Sequence, residues 1–71
     1  MVKLYSRPGC VQCVTTEKML NKLNVDYTKI HVNDMIAEEL REEGFTALPV
    51  VHTPVDMWSG FRPDKLAALA A

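Results

Sequence analysis

The stretch Val2-Lys3-Leu4-Tyr5-Ser6-Arg7-Pro8-Gly9-Cys10-Val11-Gln12-Cys13 decides the fold. Val2 to Tyr5 alternate and predict a strand. Ser6 to Gly9 predict a loop, with Pro8-Gly9 as its breaker pair. Cys10 and Cys13 then open a segment, Val11 to Leu23, in which Thr16, Met19, Leu20 and Leu23 recur at i, i+3, i+4 and i+7. That spacing gathers four residues on one face of a helix and leaves Lys18, Asn21 and Lys22 on the other. The unit is a strand, a tight loop and a helix that begins at a cysteine pair.

Asn24-Val25-Asp26 ends that helix. Tyr27 to Val32 alternates Thr28, Ile30 and Val32 against Tyr27, Lys29 and His31, which predicts a second strand. Asn33 is placed as an N-cap and Asp34 suits the first turn of a second helix. Ile36 and Leu40 give it a thin apolar stripe, and Gly44 is placed to end it in the left-handed conformation. Thr46-Ala47-Leu48-Pro49 is a loop and Val50 to Thr53 a third strand. Pro54-Val55 makes a tight connection to a fourth strand, Asp56 to Ser59, although Pro54 is not the favoured chemistry of a two-residue hairpin loop. Gly60-Phe61-Arg62 leads to Pro63, which fits the first position of a helix. Leu66 and Leu69 are its expected buried contacts, with fraying through Ala70-Ala71.

The order β-α-β-α-β-β-α predicts an α/β fold with a four-stranded mixed sheet. Strands one and two should be parallel through a right-handed crossover, and the last two an antiparallel hairpin. No repeat, linker or low-complexity tract interrupts residues 1–71, so one domain is expected.

Composition narrows the function. A chain of 71 residues with 48% hydrophobic content is expected to fold as a small globular unit. Eight Lys and Arg against nine Asp and Glu give a net charge of −1, which argues against a nucleic-acid module. No apolar run approaches the roughly 20 residues that span a bilayer. Val2 to Tyr5 already reads as strand, so no signal peptide is expected and the cytosol is the default compartment. Structural disulfides are rare there. A bridge closing so short a loop as Cys10-Val11-Gln12-Cys13 would also be a poor staple.

The pair therefore points to chemistry. The nucleophile of disulfide exchange is a thiolate. Unpaired backbone N–H groups and the helix dipole at a helix start favour negative charge on Cys10. Arg7 is a candidate positive neighbour; Pro8 stiffens the approach and Gly9 lets the backbone turn. Cys13, three residues on, lies about one helical turn away, within reach of Cys10. Cys10 would attack a substrate disulfide, and a more buried Cys13 would resolve the mixed disulfide. A C-x-x-C pair is also half of a zinc site. Zinc needs two further ligands, and the only histidines, His31 and His52, sit in predicted strands without metal-like spacing. No metal site is expected; an inert pair stays open.

Three segments together resemble the NrdH redoxin family: Tyr5 to Cys13 with its Cys-Val-Gln-Cys, Leu48-Pro49-Val50-Val51, and Trp58-Ser59-Gly60-Phe61-Arg62-Pro63-Asp64. The likeness extends over essentially the whole chain. It implies a minimal thioredoxin fold and a glutaredoxin-like protein with thioredoxin-like activity. Such a protein donates electrons to the large subunit of class Ib ribonucleotide reductase. Thioredoxin reductase re-reduces it, with NADPH used upstream and no cofactor bound to the chain. The alternative is a glutathione-dependent glutaredoxin or a general protein disulfide reductase. Val11-Gln12 stands where typical glutaredoxins carry Pro-Tyr, and Gly9 rather than Trp precedes Cys10. The resemblance also implies a cis Pro49 facing the cysteines, which would leave the Leu48 backbone free for an extended peptide. The stretch from Thr53 to Met57 is short beside the family's usual hairpin connection.

Arg7, Val11, Gln12, Leu48, Pro49 and Phe61 are the expected partner-binding residues. Trp58, Ser59, Gly60, Arg62, Pro63 and Asp64 are expected to form a structural loop, Trp58 by packing and Arg62 by bonding backbone carbonyls or meeting an acidic partner. Val14 falls off the helix stripe and should be exposed beside the cysteines. Gln12 should face solvent, and Tyr5 and Tyr27 should pack. His31 and His52 read as ordinary strand residues, and Glu38, Glu39, Glu42 and Glu43 as a solvated helix face. A monomer is expected.

Overall fold

A computed structural model describes residues 1–70 of the chain. Its elements run β1 (Val2–Ser6), α1 (Val11–Lys22), β2 (Tyr27–His31), α2 (Asp34–Glu42), β3 (Val50–His52), β4 (Met57–Ser59) and α3 (Pro63–Leu69). The sheet order is β2-β1-β3-β4. β1 pairs in parallel with β2, and antiparallel with β3, which pairs antiparallel with β4. This is the mixed sheet the sequence predicts. Ala71, expected in helix fraying, lies outside the described residues.

Local chemistry accounts for the element ends. Asn33 Oδ1 accepts the Ile36 N–H at 2.8 Å, capping α2. Gly44, at φ +93°, ends α2 in the left-handed region, where a side chain is disfavoured. Its N–H donates to Arg41 O and the Phe45 N–H to Leu40 O, both at 2.9 Å, so two orphan carbonyls are satisfied. α1 ends the same way with Asn24 at φ 56°, whose N–H reaches Asn21 O while the Val25 N–H reaches Leu20 O. Pro63 opens α3, and Arg62 at its N-cap makes no side-chain cap bond.

β1 alternates buried and half-buried residues. Val2, Leu4, Leu20, Val51, Trp58 and Leu66 form the buried cluster between the sheet and the α1–α3 layer. Tyr27, Phe61 and Leu69 pack against it while staying partly exposed. α2 lies over the other face, where Ile36 and Leu40 share a cleft with Lys3, Tyr5, His52 and Met57. Glu38, Glu39, Glu42 and Glu43 are exposed.

Three expectations change. The third strand stops at His52 and the fourth starts at Met57, because Thr53 and Asp56 belong to the turn. There the Thr53 N–H donates to Asp56 O at 2.8 Å, and Thr53 Oγ1 accepts the Asp56 N–H at 2.9 Å and the Val55 N–H at 3.3 Å. A side-chain oxygen replaces the usual carbonyl acceptor, and the short connection closes with Pro54 in it. The segment expected as a structural loop also divides. Trp58 and Ser59 end β4, Pro63 and Asp64 begin α3, and only Gly60, Phe61 and Arg62 connect them. Lastly, among the described residues Arg62 bonds no carbonyl: its guanidinium grips the Asp64 carboxylate, Nε to Oδ1 at 3.3 Å and Nη2 to Oδ2 at 3.1 Å. That hydrogen bond holds the Asp64 carboxyl below the usual range.

Candidate functional site

Cys10 is the N-cap of α1, with extended backbone (φ −90°, ψ 108°). Its Sγ accepts the Cys13 N–H at 3.1 Å. A sulfur thus takes the place of the usual capping oxygen and meets one of the orphan donors at the helix start. Gly9, at φ +79°, supplies the left-handed turn that brings the chain there. The Cys10 N–H reaches Arg7 O at 3.3 Å, closing the turn behind it.

Cys10 and Cys13 form a disulfide with their Cα atoms 5.2 Å apart, an ordinary spacing for such a bond. Cys10 is half-buried and Cys13 is 3% exposed, so an incoming disulfide can reach only the first sulfur. Cys13 is thus the more buried of the two, as the sequence predicts. Val11 and Val14 flank the pair, exposed at 78% and 49%.

Gln12 is exposed but tied. Its Oε1 accepts the Phe61 N–H at 3.3 Å and joins α1 to the β4–α3 connection. Gly60, at φ +81°, donates its N–H to Pro49 O at 2.8 Å. The Leu48–Pro49 peptide bond is cis. The Pro49 ring is fully buried and offers no surface to a partner, whereas Leu48 is half-buried. Leu48 makes no backbone hydrogen bond among the described residues. Phe61 is half-exposed, packing on the core with part of its ring while the rest faces outward. Trp58 is 5% exposed and buried in the core, with Lys65 Nζ 5.4 Å from its ring centroid.

Arg7 is exposed and lines two clefts. One runs beside Leu48 and α2. The other, of about 210 Å³, lies against Cys13 and is also lined by Ser6, Glu17, Lys29 and His31. Glu17 is the hub of its far end: Lys29 Nζ reaches Oε1 at 3.2 Å and the Tyr27 hydroxyl reaches Oε2 at 2.9 Å. Burial first, then the Glu17 hydrogen bond and charge, push the Tyr27 hydroxyl above its ordinary value. Sequence reasoning misses Glu17 and Lys29. The spacing of Glu17, four residues after Cys13, is the available signal. His52 sits on the opposite face of the sheet from this cleft. Among the described residues, no three His, Cys, Asp or Glu side chains gather as a metal site. None of the described helices is long and apolar enough to cross a membrane.

The family model described as Glutaredoxin matches residues 2–54. The glutaredoxin-like protein NrdH of Escherichia coli K12 is 40% identical over 70 residues, covering 96% of this chain and 86% of that protein. The NrdH protein of Lactococcus lactis subsp. cremoris is 36% identical over 72 residues, covering 99% and 100%. Among solved structures, the Escherichia coli NrdH-redoxin superimposes with a TM-score of 0.92 at 40% identity, over 96% of this chain and 92% of that one. A glutaredoxin of Archaeoglobus fulgidus shares the fold, with a TM-score of 0.77 at 24% identity over 96% and 83%. The thioredoxin-like fold, the Cys10–Cys13 pair at a helix start and identity across nearly the full length agree: the chain belongs to the glutaredoxin family, among its NrdH-type redox proteins.

Proposed function

We propose that this chain is a dithiol electron donor to a class Ib ribonucleotide reductase, docking on its large subunit, and that thioredoxin reductase re-reduces it with NADPH upstream. It needs no bound cofactor in this reading, because the two sulfurs carry both electrons. It acts in the cytoplasm as a monomer. One observation carries the proposal: a half-buried Cys10 caps α1, with Cys13 bonded to it and shielded behind it. A thiol at a helix start is a ready nucleophile. The Escherichia coli NrdH-redoxin has a thioredoxin-like activity profile, which supports the choice of reductase.

The docking surface follows from exposure. Val11 and Val14 present apolar area beside Cys10. Leu48, with its unpaired backbone, supplies hydrogen bonds for an extended segment of the partner. Phe61 and Arg7 bound the two sides. Gln12 and Pro49 support this surface from within, through Phe61 and Gly60.

The test is a coupled assay. NADPH with thioredoxin reductase should keep this protein reduced and sustain ribonucleotide reduction by a class Ib enzyme and reduction of insulin disulfides. Glutathione with glutathione reductase should sustain neither. Recycling by glutathione alone would overturn the proposal in favour of a glutathione-dependent glutaredoxin. Insulin reduction without ribonucleotide reduction would leave a general disulfide reductase.

A further inference from the structure

The cleft between α1 and the edge strand β2 has an unusual composition for the flank of a buried thiol. In the parallel ladder Val2, Leu4 and Ser6 lie beside Tyr27, Lys29 and His31. Neighbours in register share a face, so those three β2 side chains stand opposite α1. Tyr27 and Lys29 reach Glu17, while His31, at the end nearest the cysteines, lines the cleft with Cys13. Ser6 lines it too; its Oγ is buried and has no hydrogen-bond partner among the described residues. A cleft of about 210 Å³ has room for solvent between Cys13 and His31.

Disulfide exchange needs a way out for a proton at this place. A thiol in apolar surroundings holds its proton, and only the thiolate attacks. We propose that His31 accepts the proton of Cys13, relayed by solvent in this cleft, when Cys13 resolves the mixed disulfide on Cys10. The proton passes from Cys13 Sγ to an imidazole nitrogen of His31. The Cys13 sulfur attacks Cys10 Sγ, the Cys10–Cys13 bond forms, and the bond from Cys10 to the substrate sulfur breaks. The substrate sulfur leaves with the electron pair as a thiolate. The protein loses two electrons and the substrate disulfide gains them.

The other charged groups facing the cleft are poorer acceptors. Arg7, from the β1–α1 loop, and Lys29 are donors only in their charged forms. Both oxygens of Glu17 are engaged, by Lys29 and Tyr27. Imidazole is the side chain built to take and return a proton near neutral pH.

This inference rests on the dithiol reading but not on the identity of either partner, and neither partner enters its test. Reduced protein is mixed with 2,2′-dithiodipyridine in a stopped-flow instrument. The first pyridine-2-thione reports attack by Cys10, and the second reports resolution by Cys13. His31→Gln should slow the second phase at least about tenfold near neutral pH while changing the first less than about twofold. The deficit should shrink as pH rises, because hydroxide then ionises the thiol without His31. Glu17→Gln should leave the second phase near wild type. An unchanged second phase in His31→Gln, an equal slowing of both phases, or a loss in Glu17→Gln alone would each overturn the assignment. Wild-type protein that releases only one thione would instead defeat the dithiol reading itself. His31 is exposed, so its replacement leaves the core intact.

Discussion

Replacing Thr53 with Val tests how the β3–β4 hairpin is closed, at the end of the sheet away from the cysteines. Thr53 is 3% exposed, and its hydroxyl accepts two turn amides while donating to Asp56 O at 3.0 Å. Valine keeps the branched shape and fills the same volume, so no cavity term enters. The change removes the acceptor of the Asp56 N–H (2.9 Å) and the donor to Asp56 O; the Val55 contact at 3.3 Å is the weakest and sits where water reaches. At about 0.5–1.5 kcal/mol net per hydrogen bond, the two good ones come to about 1–3 kcal/mol. Unfolding entropy of about 2.1 cal/mol/K per residue gives about 0.15 kcal/mol/K for 71 residues. The Tm should therefore fall by about 7–20 °C on calorimetry. Thr53→Ser keeps the hydroxyl and loses one buried methyl, so it should cost only about 0.8 kcal/mol. If Thr53→Val moves the Tm by less than about 2 °C, or if Ser proves worse than Val, the turn is held by packing and the hydrogen-bond account is wrong.

Two further outcomes follow from the same geometry. Cys13→Ser should leave a stable mixed disulfide on Cys10 after exposure to a disulfide substrate, seen as a mass adduct by intact mass spectrometry; an adduct-free protein would reverse the assigned roles. Tyr27 has its hydroxyl pKa raised above 10.0, by burial first and then by Glu17. The folded state thus holds that proton more tightly than the unfolded one. Its contribution is fully present below about pH 10 and is lost as pH rises through the raised value. Urea titrations should show a steeper alkaline loss of stability in wild type than in Tyr27→Phe, and parallel curves would remove Tyr27 from the network.

What is legible in the sequence is mostly what local chemistry decides. Asn33 before an acidic first turn and Gly44 after a short apolar stripe each satisfy backbone groups within a few residues, and Pro63 removes one orphan N–H at a helix start, so one window contains cause and effect. The hairpin ends differ from expectation because Thr53 closes its turn with a side-chain oxygen, which neither alternation nor Pro54 announces. Gln12 reads as free in solvent because its partner, the Phe61 N–H, lies 49 residues away. Arg62 reads as a ligand of carbonyls although Asp64 stands two residues on. The Glu17 hub escapes because a charged residue on a predicted helix reads as surface until the strand opposite it is known.

The edge position of β2 makes the site work as a unit. Central β3 carries apolar side chains on both faces, in buried Val50 and Val51. β2 instead turns half-buried Ile30 toward the α2 side and polar Lys29 and His31 toward α1. The polar side faces the stretch of α1 that holds Cys13. Cys13, 3% exposed, thus stands against a cleft that Lys29 and His31 line. A substitution that made this lining apolar, Lys29 and His31 to Leu together, would preserve the fold by burial arguments. It should still slow resolution in the two-thione assay more than initial attack, because the proton would have nowhere to go.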